Sequence, residues 1–488
     1  MTITFKTIPA SLRAPGVYGE IDPSRANAST VNQPTLIIGQ MLASGTATAN
    51  VPVLVTSYDQ ARTTFGAGSM LSLMYKKYRE ADAFGTVYVL PLADNAAGTQ
   101  ASNTITITGT ATAAGTLNVY VAGTNIQVGV AAGDANTAVA AALNAAINAA
   151  IDLPATSSVS TNVVNVTARH KGIAAGDIDL RVNYGGPAAG EFTPTGVTVA
   201  IGAGTAGTGE PVLNFTALAD TAYAYICTPY TDSTSVGAVS TLLNDTVGRW
   251  SPFLQLYGHA FSAKEATVGN LSTFGNGLND QHLTVLGFND APEPVYLWAA
   301  AYTGVCAQSL SADPALPLQN IALPVKAPAK QSRFSLTERN TLYFDGISTT
   351  RINDAGQVIL DRSVTTYQTN TTGAPDSSYL DTETLATLQV LLRDVKDMLS
   401  VKFGRVKLVQ DGTSIPAGSN TVTAQIIKGE VIGWYRNQVN AGLAQDAAGF
   451  ARGIVAENQG NGVVALLLPI AVANQLRITK LLVQFTKP

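Results

Sequence analysis

YAYICTPYTDSTSVGAVSTLLNDTVGRWSPFLQLYGHAFSAKEATVGNLSTFGNGLNDQHLTVLGF, residues 223–288, alternates short apolar runs with longer segments of helical spacing. Strands are expected at Tyr223–Thr228, Phe253–Ala260 and His282–Phe288, with helices over 233–246, 263–275 and 294–310. Continuous apolar strands separated by helices point to a layered α/β domain with a largely parallel sheet.

The same pattern occurs upstream. Thr35–Gly39 (TLIIG), Val51–Val55 and Thr86–Leu92 read as buried strands. Ser57 and Gln60 have capping-box spacing for a helix over 57–65, and a second helix is expected over about 69–82. Between these halves, residues 95–211 are rich in Thr, Gly, Ala and Val and nearly free of aromatics. Thr104–Thr108, Leu117–Val130, Val159–Val166 and Ile178–Val182 alternate like strands, and Asn136–Ala150 is an Ala-rich helix. This block is expected to be an inserted, compact β-rich domain.

Residues 312–331 contain Pro314, Pro317, Pro324 and Pro328 and read as a linker. The clearest helix follows at Thr384–Phe403, where Leu385, Leu388, Leu391, Leu392, Val395, Met398 and Leu399 repeat at three- and four-residue spacing. Asp381 or Thr382 can cap it, and Glu383 suits its first turn. A helix over 423–441 stopped by Gly442, then strands at Ile454–Glu457, Val463–Leu468 and Leu476–Phe485, complete the chain. The fold class is thus α/β multidomain. A discontinuous core (34–94 and 212–330) is interrupted by the insert (95–211). An α+β C-terminal domain (331–475) follows, with extended arms at 1–33 and 476–488.

Composition narrows the function. The chain has 488 residues, 46% hydrophobic and only 13% charged, against about 25% charged in ordinary domains. So little charge suggests a surface covered in a large assembly. A net charge of −4 argues against nucleic-acid binding. No apolar run reaches the roughly 20 residues of a membrane span, and the N-terminus lacks a signal-peptide pattern. Synthesis in a cytoplasm is expected, with Cys227 and Cys306 as a buried, reduced pair.

Catalytic patterns are missing. His170, His259 and His282 have no metal-ligand spacing and read as hydrogen-bonded structural residues. There is neither a G-x-S-x-G elbow nor a Walker A motif. Gly202–Gly207 satisfies G-x-G-x-x-G, but Thr208-Gly209-Glu210-Pro211 cannot open the helix such a site needs, so a flexible joint is expected. Asp345 beside Gly346 is a turn. No cofactor, metal or catalytic residue is expected.

Four stretches carry a family resemblance: IPASLRAPGVYGEIDPSRA (8–26), SYDQARTTFGAGSMLSLMYKKYREADAFGTVYVLPLAD (57–94), ERNTLYFDGIS (338–348) and LLLPIAVANQLRITKLLVQF (466–485). In order and spacing they resemble the tail sheath proteins of Mu-type contractile phages. That resemblance implies a structural subunit assembled in the host cytoplasm and incorporated into the virion. It would polymerise as stacked rings around a tail tube protein, meet baseplate and tail terminator proteins, and bind neither nucleic acid nor membrane. Contraction would drive the tube through the host envelope for genome delivery.

It also implies exchange of terminal strands between copies. The candidate arm residues are Ile3, Phe5, Ile8, Val17 and Tyr18 at one end and Ile478, Leu481, Val483 and Phe485 at the other. The C-terminal domain would face the tube and the insert would face outward. Residues 331–488 carry 15 basic and 13 acidic side chains in an otherwise acidic chain. Arg393, Lys396, Lys402, Arg405 and Lys407 are therefore candidates for tube contact. Arg393 and Asp397 are also spaced for an intrahelical pair. Two other classes fit less well: an α/β enzyme, which lacks a clustered catalytic set, and a surface-decorating or adhesive virion protein, which would not need the long α/β core.

Overall fold

The computed structural model describes residues 33–416 and 418–487. Its centre is a nine-stranded sheet in the order Ile321–Leu323, Val358–Arg362, Ile347–Ile352, Leu283–Phe288, His259–Glu265, Tyr225–Cys227, Thr35–Gln40, Val87–Leu92, Val53–Val55. The six strands from Ile347–Ile352 to Val87–Leu92 run parallel, and antiparallel strands close both ends. Thr35–Gln40 and Leu283–Phe288 are buried at every position, as expected where helices cover both faces. Helix Val295–Ala312 is buried almost all round and packs on helix Met70–Ala81. Ser57 caps helix Tyr58–Phe65 by accepting from Gln60 N. The Gln60 side chain returns to Thr56 N, one residue before the position a full capping box requires.

Three expected elements move. The strand expected from Phe253 begins only at His259 and runs to Glu265, and the following helix starts at Val268. FLQLYGHAFSA alternates throughout, but Gln255, Tyr257 and Gly258 take positive φ and break the strand, leaving Phe253 on an exposed loop. Val159–Val166 spans a hairpin, with Ala155–Ser160 and Val163–Lys171 paired across a turn at Thr161. The proline-rich segment 312–331 contributes the edge strand Ile321–Leu323. Residues 331–366, expected to open the C-terminal unit, supply two further strands of the same sheet.

Residues 100–203 build a four-stranded antiparallel sheet, a three-stranded sheet and helix Asn136–Ala149. Their apolar residues, among them Ile105, Leu117, Val119, Leu143 and Val166, form a cluster of their own. The joint at 202–209 is paired rather than loose. Thr99 and Thr208 exchange backbone hydrogen bonds of 3.0 and 3.2 Å, and a Cβ on Gly204 would lie 1.9 Å from Ser102 O. Polar contacts fix this block to the sheet. Arg181 meets Asp290 at 2.7 Å, the Tyr184 hydroxyl donates to Ala327 O at 2.8 Å, and Asp177 accepts from Val295 N at 2.6 Å.

C-terminal helices Thr382–Phe403, Ala424–Asn440 and Ala447–Gly453 enclose a third cluster around Leu391, Val431, Trp434, Tyr435 and Phe450. The Tyr435 and Phe450 rings stack 3.7 Å apart. A hairpin, Val455–Gly460 with Val463–Leu467, follows. The strand expected over Leu476–Phe485 does not form within the subunit.

The seam yields a pH prediction. Withdrawal from water raises Asp177 above the ordinary carboxylate range, and Asp179 adds to this. Withdrawal from water also raises Glu265, which shares the cavity, and Asp177 raises it further. The folded chain therefore holds protons that the unfolded chain releases. Stability then falls as pH rises from the ordinary carboxylate range through the raised values. Asp177→Asn, which keeps an acceptor for Val295 N, is expected to raise the melting temperature at pH 8 and change it little at pH 4. Melting curves that track the parent at both pH values would refute this.

Candidate assembly interface

The C-terminal segment is held to the body at its root and then released. Ala473 N donates to Leu443 O at 3.1 Å, and Gln319 Nε2 donates to Leu476 O at 3.1 Å. The Arg477 guanidinium reaches Asp381 at 3.2 Å and Glu383 at 2.7 Å. Beyond it, Ile478, Leu481, Leu482, Val483 and Phe485 are 69–87% exposed. Burying each such side chain is worth about 1.5–3 kcal/mol, so this segment is strongly driven to find a cover. In an extended chain Leu476, Ile478 and Leu482 share one face, and Leu481, Val483 and Phe485 share the other. Lys480 lies on the first face, between Ile478 and Leu482. Both faces of such a strand would bury apolar groups.

The N-terminal root lies against the same helix end that leads into this corner. Gln33 accepts from the Tyr225 hydroxyl, which in turn lies 3.3 Å from Ser311 in the last turn of helix Val295–Ala312. The loop after that helix carries Gln319, the anchor of Leu476. Ile3, Phe5, Ile8, Val17 and Tyr18 lie outside the described residues.

Complementary backbone is presented by the Val455–Gly460 and Val463–Leu467 hairpin. Asn461 and Gly462 turn it with positive φ at both positions, the geometry that matches strand twist. Among the described residues neither outer edge has a partner, and Val455, Val463 and Leu467 are exposed. An isolated two-stranded hairpin is marginal in water, and open edges accept further strands.

The five basic candidates separate. Lys396, Arg405 and Lys407 are exposed. Lys402 pairs with Glu430. Arg393 does not point outward: its Nη2 donates to Leu256 O at 2.8 Å, its guanidinium lies 5.6 Å from the centre of the Tyr257 ring, and burial lowers its pKa. Asp397 forms no ion pair with it. The apolar repeat misled here because the first half of the helix is enclosed on several sides. Thr382, Glu383, Leu385, Thr387 and Gln389 are all buried, a set that no single helical face provides.

The remaining candidates have structural partners. His170 Nδ1 lies 2.8 Å from Asp94, and its Nε2 accepts from Met70 N. His259 Nε2 is 2.7 Å from Thr284 Oγ1, and burial pushes its pKa down to about 3. His282 Nε2 is 2.8 Å from Asp245. Cys227 and Cys306 are free and buried. Gly202 and Ala203 end a strand, and no α-helix follows until Ser233. Among the described residues, no group of three or more metal-ligating side chains converges, and no helix is long and apolar enough to cross a membrane. Sequence reading did not single out Arg477, Glu383 or the hairpin edges as interface. A buried charge in a helix's first turn looks identical to a solvated one until packing is known.

Known proteins resemble this chain. A family model described as phage tail sheath protein central domain matches residues 204–366. A Mu-like prophage tail sheath protein of Haemophilus influenzae is 37% identical over 491 residues, covering 99% of this chain and 100% of its own. A sheath tail protein crystal structure from Desulfitobacterium hafniense has a TM-score of 0.49 at 12% identity, over 94% of this chain and 97% of that one. The helical sheath of the anti-feeding prophage in its contracted state has a TM-score of 0.45 at 13% identity, over 98% of this chain and 100% of that one.

Proposed function

The chain belongs to the phage tail sheath family, and from that premise we propose that copies of it polymerise by trading arms. It is a structural protein and not an enzyme. In this reading the segment 478–487 of one copy adds to an open edge of the 455–467 hairpin of another. Backbone hydrogen bonds give the contact its direction, and the apolar side chains on both faces give it strength. The single observation that carries the reading is an arm with exposed apolar residues on both faces, held to its own subunit at its root by Gln319 on Leu476 and by Arg477 on Glu383. A contact between two different surfaces of identical copies builds a ring where its rotation closes and a helical array where it does not.

The finer assignments are part of the proposal. The N-terminal arm makes a second link from its root at Gln33. The array surrounds a tail tube and meets a baseplate at one end and a terminator at the other. Contraction drives the tube through the host envelope. The 95–211 block faces away from the tube. Its ends are close enough, with Asn95 Nδ2 donating to Glu210 O at 2.9 Å, for the sheet to be continuous without it. Lys396, Arg405 and Lys407 face an acidic tube surface, through exposed pairs worth only about 0–1 kcal/mol each.

Two experiments test this reading. A chain lacking 478–488 is expected to fold and melt like the parent yet form no tubes by negative-stain microscopy; normal tubes would refute arm exchange. Lys396→Glu with Arg405→Glu and Lys407→Glu is expected to give sheath without enclosed tube. Unchanged co-assembly with tube across a range of salt concentrations would rule out that inner face.

A further inference from the structure

Among the described residues, Arg477 is the last of the C-terminal segment to form an ion pair or hydrogen bond with its own subunit. The side chain is only 11% exposed, yet Nη2 alone is paired, to Asp381 Oδ1 at 3.2 Å and Glu383 Oε1 at 2.7 Å. Its Nε and Nη1 are enclosed without a partner. Glu383 is fully buried with Oε2 unpaired, and Thr387, one turn along the helix, has an unpaired buried hydroxyl. Glu383 Oε1 also accepts from Leu318 N. Asp381 is held in turn by Arg362, at 2.9 Å through Nη2 and 3.2 Å through Nε. Two arginines and two carboxylates therefore join a strand of the main sheet, the start of helix Thr382–Phe403, the 313–320 loop and the root of the arm.

Such a cluster is a poor source of stability. Burial raises the Glu383 carboxyl above its usual range, with Arg477 opposing this. Replacing a buried ion pair by apolar residues of similar size is often neutral or stabilising. The Arg477 guanidinium, enclosed and held on both carboxylates through Nη2, fixes the place at which the backbone leaves the subunit, and the chain beyond it is free. Ordering a free segment on a partner costs about 1–2 kcal/mol per residue of backbone entropy. A fixed root lowers that cost and raises the arm's effective concentration at the site it must reach.

We propose that Arg477, seated on Glu383 and Asp381, is a positioning residue that sets the place from which the 478–487 arm leaves the subunit, so that it meets a neighbouring copy from a fixed root. This rests on the arm-exchange reading above and adds the device that makes the exchange efficient.

The test uses the full chain. Arg477→Gln frees the root, Arg477→Lys keeps the charge, and two glycines inserted between Arg477 and Ile478 free the arm while leaving the clamp intact. Polymerisation is followed by light scattering. Arm orientation in the unpolymerised subunit is read from the distance between spin labels at Gln484→Cys and Thr372→Cys, the native cysteines being buried. Because the chain beyond Arg477 is free, the parent is expected to give a spread of distances, but a narrower one than the variants. Arg477→Gln and the glycine insertion are expected to broaden it and to slow polymerisation roughly tenfold, with Arg477→Lys partly restoring both. The glycine insertion is expected to melt like the parent, so it decides the matter if Arg477→Gln destabilises the fold. Parental polymerisation and a distance distribution no broader than the parent's in the glycine-inserted chain overturn the clamp. Tubes from the chain lacking 478–488 overturn arm exchange itself.

Discussion

Five large apolar side chains between Ile478 and Phe485 stand in water, and their backbone pairs with nothing in its own subunit. A free chain does not keep such a segment without consequence, because open strands with apolar side chains seek partners. The hairpin at 455–467 has the matching deficit: two strands and two unpaired edges. Neither feature is relieved within one copy. In the proposed assembly both are relieved together by a second copy.

That body is a stiff frame. Six parallel strands buried on both faces make the sheet, and antiparallel strands at its ends, only three residues long at Val53–Val55 and Ile321–Leu323, leave little edge for misdirected pairing. Strand Thr35–Gln40 lies between Tyr225–Cys227 and Val87–Leu92, so the chain leaves the sheet on one side of that strand and returns on the other. The 100–203 block is an excursion between the two strands that flank Thr35–Gln40. The Arg362–Asp381–Arg477–Glu383 cluster ties sheet, C-terminal helix and arm root at one place.

Much of this was legible in the sequence for simple reasons. Continuous apolar runs such as TLIIG and HLTVLGF mark doubly covered strands. The change of texture after residue 94 follows from a smaller core built of Val, Ile, Leu and Ala. What stayed hidden depended on contacts far apart in the chain. The 253–260 run alternates like a strand, but three positive-φ residues turn it into a loop before His259. Residues 347–362 follow a proline-rich stretch that reads as a boundary, yet they pair with a strand sixty residues earlier. Arg393 has the spacing of a surface cation, but the helix carrying it is enclosed on several sides, which leads the guanidinium to Leu256 and Tyr257. The terminal LLVQF was readable as a strand by composition; that its own subunit leaves it unpaired required the structure.

Amide hydrogen exchange, compared between free subunits and assembled tubes, tests the central claim most directly. Pairing of the arm with a neighbour's hairpin predicts that amides at 478–485 exchange at near-random-coil rates in the free subunit. In the tube they should become strongly protected, together with the outer-edge amides of 455–460 or 463–467. Fast exchange at 478–485 inside intact tubes would contradict the account.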